Sequence, residues 1–122
     1  MRMLEMHIGV QDLQKSVEFY SNLIPHTKVI TDDDHKQVFL VLDDGSAFGI
    51  WEAGYHGLHD GLAGKHLHFA FEIKPDEYES YKQKLESLGV DVIEHRWRDG
   101  QRSLYFFDAD GHQGEFMTKD WL

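Results

Sequence analysis

Three short stretches of this chain carry residues able to do acid–base or metal chemistry. In Leu4-Glu5-Met6-His7-Ile8-Gly9-Val10, apolar and polar residues alternate. As a strand, this run turns Glu5 and His7 to one face and Leu4, Met6, Ile8 and Val10 to the other. In His66-Leu67-His68-Phe69-Ala70-Phe71-Glu72-Ile73 the same period puts His66, His68, Ala70 and Glu72 on one face. Near the C-terminus, Gln113-Gly114-Glu115-Phe116-Met117 offers Glu115. Carboxylates and imidazoles gathered on strand faces are a donor set for a divalent cation, and histidine also titrates near neutrality. A solvated polar face is the plain alternative for any one of these strands taken alone.

The elements that must position these groups repeat along the chain. After the first strand, Asp12 is placed to N-cap a helix whose apolar residues Leu13, Val17, Tyr20 and Leu23 fall at helical spacing, and Pro25 ends it. Two strand-like runs follow, at 37–42 and 46–51, around the turn Asp43-Asp44-Gly45. The second half has the same order. A strand at 66–73 leads to Pro75-Asp76, which opens a helix carrying Tyr78, Tyr81, Leu85 and Leu88, with Gly89 as its stop. A short strand at 90–95 precedes a pair at 103–107 and 113–118 around Asp108-Ala109-Asp110-Gly111. Val10 aligns with Ile73 at an offset of 63, and Asp44-Gly45 with Asp110-Gly111 at an offset of 66. Repeats of this kind are two copies of one supersecondary unit. The expected architecture is α+β: two βαβββ modules, about 1–54 and 64–120. The glycine- and histidine-rich stretch 55–63 reads as a linker or lid within this single domain.

The offset of 63 pairs Glu5 with His68, so two equivalent strands each carry a candidate ligand. The offset of 66 maps Glu115 onto Gly49, which has no side chain to coordinate with. The repeat therefore predicts three protein ligands, Glu5, His68 and Glu115, and open positions for substrate, as catalytic metal sites have. The donor set suits Mn²⁺, Fe²⁺, Ni²⁺ or Zn²⁺ without choosing among them.

Bulk properties narrow the classes. The 122 residues suffice for one domain with a core, and no apolar run approaches a membrane span. No signal peptide is visible and there are no cysteines, so no thiolate site, in keeping with a cytoplasmic protein. A net charge of -10 repels phosphate backbones and argues against nucleic acid as partner.

The segments Val10 to Tyr20 (V-x-D-L-x-x-S-x-x-F-Y), His68 to Ile73 (HFAFEI) and Arg102 to Phe116 (RSLYFFDADGHQGEF) resemble the glyoxalase / bleomycin-resistance / extradiol-dioxygenase superfamily, the vicinal oxygen chelate fold. The resemblance covers nearly the whole chain. It implies paired βαβββ modules forming an open, cup-shaped mixed sheet with helices outside, around a divalent metal to which a small substrate binds through adjacent oxygens. It places the family's ligands on His68, Glu115 and, five residues before the valine of V-x-D-L, on Glu5, where many members have histidine. His7 falls where some members contact substrate, and it is also the alternative first-strand ligand. Gly49 stands near the fourth ligand of glyoxalase I proper and argues against that activity. Ser103 and Tyr105 fall on substrate-side positions of members that open fosfomycin, although a phosphonate pocket rich in lysine and arginine is not evident.

These implications give a metal-dependent enzyme of glyoxalase-like type, a lyase, isomerase or transferase that stabilises an anionic intermediate. His7 is the candidate general base or acid, Tyr105 the hydrogen-bond donor, Trp51 a pocket wall and His66 a residue behind the ligands. The alternative is a metal-free protein that sequesters a drug, with an extradiol dioxygenase or a fosfomycin-opening enzyme ranked lower. His95 and His112 are expected at the surface, and His56 and His59 in the linker. The resemblance also implies modules that pair across a homodimer or close within one chain.

Overall fold

The computed structural model describes residues 1–53 and 68–118. The chain divides into two compact units, Met1–Leu62 and Ala63–Leu122. The stretch 55–63, with His56 and His59, and also His66 lie outside the described residues.

The first unit contains β1 (Glu5–Val10), α1 (Leu13–Leu23), β2 (Lys28–Asp32), β3 (Gln37–Val41) and β4 (Ala47–Glu52). Its sheet has the order β1-β4-β3-β2, with β1 parallel to β4 and the remaining pairs antiparallel. Asp12 is the N-cap of α1, its carboxylate accepting from the Lys15 N–H at 3.0 Å. The helix stops at Leu23, two residues before Pro25. Its buried face, with Tyr20 and Leu23 fully enclosed, accompanies Ile8, Val10, Leu40, Phe48 and Ile50 in the core. Tyr20 meets Phe48 at 4.9 Å between ring centroids. The opposite face of β1 keeps Glu5 and His7, as the alternation requires.

The second unit contains β5 (His68–Glu72), a 3₁₀ turn (Pro75–Glu77), α2 (Tyr78–Ser87), β6 (Ile93–Arg96), β7 (Arg102–Phe107) and β8 (Gln113–Met117). The order β5-β8-β7-β6 repeats that of the first sheet, again with one parallel pair. Gly89, at φ +81°, follows the helix in the left-handed conformation that a C′ glycine supplies. The core holds Phe69, Tyr78, Leu85, Leu104, Phe106 and Phe116. Gly114 is a packing requirement, because a Cβ there would stand 2.2 Å from Cζ of Phe106.

Both sheets are mixed and open, so the α+β pattern of two βαβββ modules is present. Two boundaries differ from the sequence expectation. The strand expected at 90–95 is β6, at Ile93–Arg96, and β2 at Lys28–Asp32 has no counterpart among the runs located by pattern. Both are edge strands with nearly every residue exposed, so neither carries the alternation by which a half-buried strand is recognised.

Candidate metal centre

In the second unit, β5 and β8 lie side by side with His68 opposite Gln113 and Ala70 opposite Glu115. Glu115 is 3% exposed. The Ser103 hydroxyl on β7 donates to Glu115 Oε1 at 2.6 Å, and His68 Nε2 stands 3.4 Å from Oε2. The Trp97 indole N–H, from the β6–β7 connection, donates to Ser103 Oγ at 2.9 Å. The result is a directed chain, Trp97 to Ser103 to Glu115, with an imidazole facing the far carboxylate oxygen. Ser103 is fully buried, so its hydroxyl is committed to Glu115 rather than to the surface. Trp97 had no signal in the sequence, since it lies in a loop and its function depends on a contact six residues away.

Tyr105 on β7 is directly opposite Glu115 in the β7–β8 ladder. Burial, and then the adjacent Glu115 charge, push its phenol above the ordinary tyrosine value. It therefore keeps its proton at neutral pH and is an O–H donor on the same face as the carboxylate.

The first unit carries its own pair. Glu5 Oε1 and His7 Nε2 are 3.3 Å apart, with the Glu5 side chain half exposed and His7 largely covered. The His7 ring packs edge-on against Phe39 and Trp51, at 5.3 and 5.7 Å between centroids. Trp51 is partly buried at the end of β4. Each unit thus brings together one carboxylate and one imidazole on the face away from its core. Glu5 and His7 meet in the first, and His68, Glu115, Ser103 and Tyr105 gather in the second.

The donor chemistry of the second unit fits a divalent cation. A buried carboxylate needs a countercharge, and one imidazole with one carboxylate is a mixed N/O set that Mn²⁺, Fe²⁺, Ni²⁺ and Zn²⁺ accept. A different trio, Asp108, Asp110 and His112, has its potential ligand atoms all within 4.8 Å of one another. This group builds the β7–β8 turn. Asp108 Oδ1 accepts from the backbone N–H of Asp110 and of His112, and the His112 ring sits 2.8 Å from Oδ2. The His112 side chain is only 17% exposed, which corrects its expected place on the surface. The Asp108 hydrogen bond raises its pKa above the usual histidine value. His95, by contrast, is exposed and packs edge-on to Trp97 at 4.4 Å.

The chain is 31% identical over 115 residues to the metallothiol transferase FosB of Staphylococcus saprophyticus, covering 90% of this chain and 72% of that one. It is 30% identical over 111 residues to the fosfomycin resistance protein FosX of Listeria monocytogenes, covering 84% and 78%. A crystal structure of the E126Q mutant of FosX from Listeria monocytogenes, complexed with Mn(II) and 1S,2S-dihydroxypropylphosphonic acid, superposes with a TM-score of 0.74 at 27% identity, over 99% of this chain and 90% of that one. The family model for the Glyoxalase/Bleomycin resistance protein/Dioxygenase superfamily matches residues 2–116, nearly the whole chain, and the chain belongs to that superfamily.

Proposed function

We propose that this chain is a divalent-metal-dependent enzyme that opens a small, oxygen-bearing substrate of the fosfomycin type, with His68 and Glu115 as metal ligands in the second unit and Glu5 as the candidate metal ligand of the first. The observation that carries this reading is the buried Glu115 carboxylate, oriented by Ser103 and faced by His68. It occurs in a chain whose relatives include a metallothiol transferase and a fosfomycin resistance protein. On the sequence alone, fosfomycin-opening ranked behind a glyoxalase-like lyase or isomerase, and the relatives bring it to the front.

The ion, when bound, supplies a Lewis acid that draws charge from a substrate oxygen. The rest falls to the chain. Ser103, held by Trp97, fixes the rotamer of Glu115. Tyr105 donates its O–H toward negative charge that develops on substrate oxygen as a C–O bond breaks, a pre-set dipole of the kind that stabilises such charge. Trp51 gives the first unit an apolar wall. The nucleophile assigned here is water or a thiol from solution, and no cysteine of the chain competes for that role. With 12 Lys and Arg against 22 Asp and Glu, a phosphonate dianion gains little from the chain's overall charge. Small neutral epoxides therefore belong beside fosfomycin in the assay.

The test is metal analysis of protein purified without chelator, followed by ³¹P and ¹H NMR of fosfomycin and neutral epoxides incubated with Mn²⁺-loaded protein, with and without a thiol. The expected result is about one divalent ion per chain and metal-dependent ring opening. Protein that takes up no metal under any loading condition, yet binds drug-sized ligands, overturns the enzyme in favour of sequestration.

A further inference from the structure

In the second sheet, each strand residue belongs to one of two faces, because directly paired residues share a face and neighbours along a strand alternate. One row crosses the sheet as Ile93, Tyr105, Glu115 and Ala70. The next row holds Phe107, Gln113 and His68. The same face therefore carries the His68–Glu115 pair, the Tyr105 hydroxyl and two apolar side chains, Ile93 and Phe107. These two are 53% and 49% exposed, while Leu104, Phe106 and Phe116 on the other face are buried in the core. Neither Ile93 nor Phe107 serves the core, and both flank Tyr105.

Charge is divided between the two faces as well. The arginines of these strands, Arg96 and Arg102, are paired with each other in the β6–β7 ladder and fall on the face opposite Glu115. Arg102 is committed there, with Cζ 3.8 Å from the centroid of the Tyr78 ring and Nη1 4.0 Å from Glu79 Oε1. Lys82 of α2 is held by Glu94 Oε2 at 3.2 Å, and the Tyr78 hydroxyl donates to the other oxygen of that carboxylate at 3.0 Å. On the Glu115 face the four strands carry no lysine or arginine; the ionisable side chains there are His68, Glu72, His95, Tyr105 and Glu115. A phosphonate dianion beside Glu115 meets no permanent cation on these strands.

We infer that Ile93 and Phe107 determine specificity at this site, which takes an uncharged vicinal-oxygen compound bearing an aromatic or branched alkyl group in place of a phosphonate. Neighbouring strands lie about 4.8 Å apart, and alternate residues of one strand about 7 Å, so both side chains stand one lattice step from Tyr105. A substrate oxygen that accepts from the Tyr105 hydroxyl brings its carbon substituent within reach of both. An apolar group gains there by leaving water, whereas an anionic group loses hydration without a countercharge. The inference rests on the metal-dependent reading above and narrows its substrate.

Unreactive vicinal diols separate binding from reaction. Mn²⁺-loaded protein is titrated with diols bearing a phenyl, a methyl or a phosphonate group, and binding is followed by the relaxation of water protons as ligand displaces water from the ion. The phenyl diol should bind at least about tenfold more tightly than either of the others, as partial burial of an aromatic ring supplies. Ile93→Ser combined with Phe107→Ser should weaken the phenyl diol by about tenfold and leave the methyl diol and Mn²⁺ itself within about twofold. Both positions are exposed, so the melting temperature should hold. A phenyl diol that binds no more tightly than the other two, or a double variant that keeps the phenyl preference, overturns the inference. A phenyl preference that the double variant loses, in a protein that opens no epoxide, upholds this surface and overturns the reaction proposed above. Protein that takes up no Mn²⁺ overturns the metal site and the inference together.

Discussion

The hydrogen bond from Ser103 to Glu115 gives the sharpest prediction. The perturbation is Ser103→Ala, which removes a 2.6 Å bond to a carboxylate inside a residue 3% exposed. Hydrogen bonds to charged groups contribute about 1.5–3 kcal/mol, and a buried acceptor left without its donor sits at the upper part of that range. The variant frees Glu115 to rotate and removes the acceptor of the Trp97 indole. If most of this loss falls on the metal-holding state, binding weakens by about 10–100-fold, the range seen when a group that orients a ligand is removed. The assay is Mn²⁺ binding followed by electron paramagnetic resonance of the free ion, with the melting temperature of the metal-free protein measured in parallel. Trp97→Phe keeps an aromatic side chain but loses the indole N–H together with the pyrrole ring, and since it leaves the Ser103–Glu115 bond in place it should weaken binding less. The double variant should bind no more weakly than Ser103→Ala, because Trp97 acts through Ser103. Mn²⁺ affinity of Ser103→Ala within about threefold of a metal-binding wild type would refute the role given to this chain of hydrogen bonds. Additive losses in the double variant would refute the order in which it is built.

Three further outcomes follow from the same structure. His112 is raised in the folded state by Asp108, so its stabilisation is fully present below the ordinary histidine value and fades as pH rises through the raised one. Wild type should therefore exceed His112→Asn by about 1–2 kcal/mol in urea titrations near pH 5.5, and the gap should narrow by about pH 8.5. Gly114→Ala should cost about 1–3 kcal/mol through overpacking against Phe106, with partial rescue by Phe106→Leu, measured by chemical denaturation. Asp12→Ala removes the α1 cap and should cost about 1 kcal/mol without changing metal affinity, which separates general stability from effects on the site.

Much of the scaffold was legible in the sequence. Alternation in β1 and β5 assigns Glu5, His7 and His68 to their faces from the sequence alone, because a half-buried strand must repeat with period two. Asp12, Pro25 and Gly89 marked helix ends through local backbone chemistry that needs no tertiary partner. The offsets of 63 and 66 are met in the ladders, where Glu5 faces Ala47 and His68 faces Gln113. β2 and the start of β6 escaped because exposed edge strands carry no burial pattern.

What the sequence determined by itself was a repeated unit and the types of residue on one face of its strands, since both follow from spacing along the chain. Only the tertiary structure decided what those residues do to one another. Ser103, placed by resemblance beside a substrate, turned out to hold Glu115, and Trp97 to hold Ser103. Gly49, which as a letter meant only a missing ligand, became the space into which His7 leans. The physical reason is that spacing fixes the direction of a side chain, whereas contact depends on which strand is hydrogen-bonded beside it and on how large its neighbour is.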